Sequence, residues 1–317
     1  MKYFRSYPWR MQLWLFVVIA FFLMWASQKI IPPLFTRITG FVISQLEGVS
    51  PDSPPALINA AVTLEGLYNL CLFLLPAFLF AYLTHPEPVA YLGLKAPGKK
   101  IQLVLVIFVM LGAMPVLQVI DGWISQLNFG PQVRSLQAEN DNMMNAFLLI
   151  PTFSAFLKVF ISIAIIPAFG EEMFFRGVFM RFIKKKSSKM AVPVVFSALV
   201  FAMAHMNIYG FLSIFLAGIL LAVIYNITGS LWCSIVAHLF FNGLQIILAY
   251  AAYGSKAIRS FNDNTSVPYY LVFGGLIVFA ISFYLLIKNK TPLPANWTDD
   301  FPPPGPVESE WDFMAKN

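Results

Sequence analysis

Charge is scarce in this sequence: 21 basic and 15 acidic side chains are spread over 317 residues, so 11% are charged where an ordinary soluble domain has about 25%. That excludes a soluble globular protein and, for the chain as a whole, disorder, a coiled coil or a nucleic-acid-binding surface. Cysteine is scarcer still. Cys71 and Cys233 both lie in apolar runs, which rules out a disulfide framework. No internal repeat, P-loop, GxGxxG or CxxC occurs, so nucleotide binding and dithiol chemistry have no motif to rest on. Histidine occurs only three times.

Apolar residues fill the space: 59% of the chain is hydrophobic, with 32 Phe and 7 Trp, and mean hydropathy is +0.73. A membrane helix takes about 20 mostly apolar residues. Eight runs satisfy this, at 11–27, 60–83, 101–120, 152–171, 191–205, 208–226, 231–252 and 267–287. The expected fold is therefore an all-α polytopic membrane protein of about eight transmembrane helices, with residues 1–290 forming one membrane domain. The first run lacks a small-x-small cleavage site and reads as a retained anchor rather than a signal peptide. Residues 33–50 suit either a helix lying on the outer surface or a loop. The tail, 291–317, is proline-rich and polar and reads as disordered.

Eight spans put both termini on one side, and Lys and Arg accumulate in the cytoplasm. An inside N-terminus gathers Lys2, Arg5, Arg10, Lys95, Lys99, Lys100, Arg176, Arg181, Lys184 to Lys186, Lys189, Lys288, Lys290 and Lys316 there. Only Lys29, Arg37, Arg134, Lys256 and Arg259 fall outside, and Lys158 can snorkel near the outer end of the fourth span. The expected location is a cell inner membrane, with both termini cytoplasmic.

Ionisable residues within membrane spans are costly and read by default as functional. His205 and His238 lie in apolar runs, and Glu171 and Glu172 sit in IIPAFGEEMFFRGVFMRF. Glu172 and Arg176 are i, i+4 partners on one helix face, whereas Glu171 is turned about 100° away from Glu172. The two carboxylates therefore serve different jobs unless the helix bends. Glu172 pairs with Arg176, and Glu171 is left unpaired in low-dielectric surroundings, where a carboxylate suits general-base work. Phe201 with His205 in FAMAH, and His238 with Asn242 in HLFFN, are further i, i+4 pairs. Pro167, four residues before Glu171, has no N–H for the carbonyl of Ile163 and predicts a kink.

GEEMFFRG, FAMAH and HLFFN resemble the motifs EExxxR, FxxxH and HxxxN/D of the CPBP family of intramembrane proteases, which includes the type II CAAX prenyl endopeptidases and proteins linked to bacteriocin processing or self-immunity. The resemblance covers residues 152–250, and YLGLKAPGKK resembles the family's LGL-plus-basic stretch. It implies that Glu171 and His205 activate a water against a peptide carbonyl, that His238 and Asn242 stabilise the oxyanion, and that Glu172 and Arg176 support the site. It also implies a peptide or protein substrate, prenylated or membrane-embedded, met within the lipid bilayer; no nucleic acid is involved.

The residues leave the metal question open. His205, His238 and Glu171 could hold zinc or a similar divalent metal with an open water position, but the HExxH spacing of helical zinc proteases is absent. Asn242 is a poor zinc ligand and a good donor. The metal-free glutamate mechanism without a cofactor is preferred, and Glu171 is the base in either case. The expected cavity opens to the cytoplasm, ringed by Arg181 and Lys184 to Lys186. Two other classes compete: a non-catalytic scaffold or self-immunity factor, and a proton-coupled transporter, whose inverted repeats are not seen.

Overall fold

The computed structural model describes residues 4–253 and 267–299. Among them are helices and turns but no strands. Seven helices are long and apolar enough to cross a membrane. In chain order the principal helices are α1 (Trp9–Thr39), α2 (Pro55–Thr84), α3 (Ile101–Ile124), α4 (Pro131–Phe147), α5 (Phe153–Lys186), α6 (Ala191–Ala204), α7 (Phe211–Thr228), α8 (Leu231–Tyr253) and α9 (Tyr269–Lys288). Their outer faces carry exposed Trp14, Phe21, Phe22 and Trp25 on α1 and Phe273 and Ile277 on α9. In water such a surface would drive aggregation; against lipid it is at equilibrium. The chain is an integral, multi-pass membrane protein.

The expected count of about eight helices becomes seven because α6 has only 14 residues, about 21 Å of rise against a hydrocarbon core of about 30 Å. Helix α1 runs on through Pro32 and Pro33 to Thr39 and stops at Gly40, whose φ of 79° is the left-handed closing conformation. Residues 33–50 are thus the end of α1 followed by a single helical turn, Ile43–Leu46, with Phe35, Leu46 and Val49 buried. The polar helix α4 lies in a stretch that hydropathy passes over; Pro131 begins it, and Ala146 and Phe147 anchor its far end.

Helix α5 is the longest, at 34 residues. It contains two π-helical stretches, Phe160–Ile165 and Met173–Phe179. The first ends just before Pro167, where widening of the turn accommodates the missing N–H without breaking the helix. Helices α3 and α9 cross where Gly112 meets Gly275: a Cβ on Gly112 would lie 2.5 Å from the Phe279 nitrogen, so the backbones touch because neither residue carries a side chain.

One end of the bundle is closed by three segments. Phe4 N–H donates to Leu83 O, Leu231 N–H to Gly93 O, Ser230 Oγ to Lys95 O, and Thr291 and Leu293 N–H to Ile227 and Asn226 O. The first and last described residues therefore lie at the same end. Gly93, at φ 80°, is required in YLGL because a Cβ there would sit 2.3 Å from Tyr225 Oη. Residues 291–299, read from composition as the start of a disordered tail, are packed here. Trp297 is buried, its carbonyl accepts from Arg181 Nη1 at 2.8 Å, and the Arg181 guanidinium lies 4.4 Å and 5.0 Å from the ring centres of Tyr91 and Trp297. The tail beyond 299 lies outside the described residues, as do Lys2, Lys256, Arg259 and Lys316.

Candidate active site

The continuation of α5 to Lys186 sets the depth of the site. Glu171 lies 15 residues before that end, about 22 Å in, and His205 closes α6 at about 21 Å from Ala191. From sequence Glu171 is expected near the end of its span and His205 about 20 Å in, so that their convergence requires α6 to begin outside the membrane or to tilt strongly. The difference arises because the apolar run stops at the charged motif while the helix does not. His238 is only about 10 Å into α8, but α8 starts buried beneath the YLGL loop, which restores the common level.

Glu171, His205 and His238 are brought together. His205 Nε2 and His238 Nε2 lie 3.9 Å and 3.8 Å from the same oxygen, Glu171 Oε2, beyond direct hydrogen-bond reach and at a spacing that one water can bridge. That oxygen is buried and accepts no hydrogen bond among the described residues. The other ring nitrogens are committed. His205 Nδ1 donates to the Phe201 carbonyl at 2.8 Å, an acceptor that fixes the proton on that nitrogen. His238 Nδ1 donates to Glu172 Oε1 at 3.0 Å.

Glu172 also takes Arg176 Nη1 at 2.7 Å, with both side chains fully buried. Arg176 Nη2 donates to Gly218 O, and the guanidinium lies 4.6 Å from the centre of the Phe201 ring. Phe201 meets both histidine rings as well, with centroids at 4.6 Å and 5.9 Å. The expected pairing of Glu172 with Arg176 is present, and the two glutamates in addition share a target. One imidazole, with nitrogens on two edges, spans carboxylates about 100° apart on their helix. Glu172 is thus more than a partner for Arg176, since it orients His238.

Asn242 lies one turn after His238, and its Nδ2 reaches the Ile163 carbonyl at 3.5 Å, the group that Pro167 cannot serve. Ser234, one turn before His238, donates to Glu172 Oε2 at 2.5 Å. Nothing in its sequence context singles out Ser234 except its i−4 spacing from His238, which places it on the same face. Arg181 is buried among aromatic rings, and Lys184 to Lys186 lie about 20 Å along α5 from Glu171. They do not ring the site. His205, with a third of its side chain exposed, instead begins the α6–α7 loop, which packs on the far end of α3 through the Tyr209 hydroxyl and Leu127 O. The expected opening at the lysine end is not where His205 is exposed.

A divalent metal would draw on His205, His238 and Glu171, but although these three converge, they are not arranged as a metal-holding group among the described residues. Together the fold and this cluster define a polytopic membrane protein with a buried acid flanked by two oriented imidazoles. Residues 153–244, from the start of α5 to just past Asn242, match the Rce1-like family model, described as type II CAAX prenyl endopeptidase Rce1-like. The resemblance read from the motifs is borne out over that segment, and it supports a CAAX-type intramembrane protease acting on a peptide or protein substrate. No curated protein and no solved structure matches the chain.

Proposed function

We propose that this protein is an intramembrane endopeptidase in which Glu171 and His205 activate the attacking water. The observation that carries the reading is the convergence of two Nε2 atoms on one buried, otherwise unpartnered carboxylate oxygen. Water held among these atoms gives a proton to Glu171 as its oxygen attacks the peptide carbonyl. His205 Nε2 assists, and the proton passes to the leaving amine as the C–N bond breaks. The developing oxyanion is met by His238 and Asn242. His238 Nδ1 already donates to Glu172, so its Nε2 can donate only as the imidazolium, whose charge Glu172 faces. Asn242 has a second amide hydrogen beside the one aimed at Ile163. No step runs through a metal or cofactor.

The substrate class proposed is a prenylated or membrane-embedded peptide, and the basic end, with both termini, is placed in the cytoplasm of an inner membrane on the distribution of charge. A non-catalytic scaffold would have no need for two imidazoles with committed Nδ1 atoms. The membrane proteomes of cells carrying the intact chain and the Glu171→Ala variant separate these readings. New N-termini dependent on Glu171 are expected; identical proteomes would argue for the scaffold.

A further inference from the structure

We infer that Ser234 is a positioning residue for the hydrolysis proposed above, acting through Glu172 on the tautomer and orientation of His238. The inference rests on that proposed function for its kinetic part and on geometry alone for the rest. The Glu172 carboxylate is held at three points: Oε1 accepts from Arg176 Nη1 at 2.7 Å and from His238 Nδ1 at 3.0 Å, and Oε2 accepts from Ser234 Oγ at 2.5 Å. All four side chains are buried. Ser234 has one proton and two acceptors in range, Glu172 Oε2 and Leu221 O at 3.0 Å; the shorter, charge-assisted bond takes the proton.

The terminal torsion of a glutamate is broad, so two bonds to a single oxygen do not fix the plane of the carboxylate. Guanidinium prefers to grip both oxygens. Ser234 occupies the second oxygen and denies Arg176 that grip, which leaves Oε1 facing His238. Without the hydroxyl, the carboxylate turns onto Arg176, His238 Nδ1 loses its acceptor, and Nε2 no longer points at Glu171 Oε2. Among the described residues Ser234 hydrogen-bonds to Glu172 and to Leu221 O but to neither Glu171 nor His205, so its effect has to pass through Glu172.

The test uses full-length protein in detergent, labelled with ¹⁵N-histidine. With only three histidines in the chain, the His238 ring is assigned by elimination with His85→Asn and His205→Gln. The intact protein is expected to show His238 protonated at Nδ1. Ser234→Ala should shift it towards the other tautomer or a mixture, and Ser234→Thr should restore it. With a farnesylated CAAX peptide as probe, Ser234→Ala should lower kcat about tenfold or more while leaving KM within about twofold, by analogy with the loss of outer partners that orient metal-bound histidines. An unchanged His238 spectrum in Ser234→Ala overturns the inference whatever the rate does. A shifted spectrum with unchanged kcat overturns its bearing on the reaction. Should Ser234→Ala fail to fold, Ser234→Cys, similar in volume and a weak donor, carries the same comparison. Absence of cleavage by the intact protein would count against the proposed function and leave the spectroscopic result standing.

Discussion

At the residue scale, Glu172 carries two contacts that hold the site together: Arg176, its i, i+4 partner on α5, and His238 on α8. The pair with Arg176 makes a prediction. Arg176→Met strands Glu172 as a buried charge, a change that costs about 3–5 kcal/mol. Combining it with Glu172→Gln should recover much of the thermal stability in detergent without restoring cleavage, since His238 then lacks its carboxylate. A double-mutant cycle on melting temperature and rate measures both, and additive losses of stability would contradict the pairing.

At the element scale, hydropathy located eight helices and cut two of them short, α1 and α5. Helix α5 is cut short in such a reading because Glu171, Glu172, Arg176 and Arg181 interrupt the apolar run, yet all four are buried. Charges buried within the bundle leave the helix intact. Helix α6 reads as a span but stops at His205, which bonds back to Phe201 O in its own last turn. The tail misled in the opposite direction. Its prolines and acids dominate the composition, whereas Leu293 and Trp297 decide what residues 291–299 do, packing against the core around Tyr225. Trp297→Ala should therefore lower stability by about 3–5 kcal/mol, as for other buried aromatic truncations, whereas Trp14→Ala, on the lipid face, should change the melting temperature little. Equal effects would show that the docked segment does not contribute.

At the scale of the whole molecule, the first and last described residues lie at one end of the bundle, and the excess of basic side chains there is the ground for the proposal that this end faces the cytoplasm. A reporter fused after Lys290 should behave as cytosolic, and Ser125→Cys, beyond the far end of α3, should react with an impermeant thiol reagent from outside; the reverse labelling would invert the orientation. Where His205 is exposed was not legible in the sequence, because it follows from the short reach of α6. The central claim, that Glu171 is the base of a peptide hydrolase, is tested most directly with purified full-length protein and a farnesylated CAAX peptide, the products being read by mass spectrometry with and without a zinc chelator. The intact protein should release the C-terminal fragment in both conditions, and Glu171→Gln, folded to the same melting profile, should fall by about 10² or more in rate. Undiminished cleavage by Glu171→Gln would contradict the account.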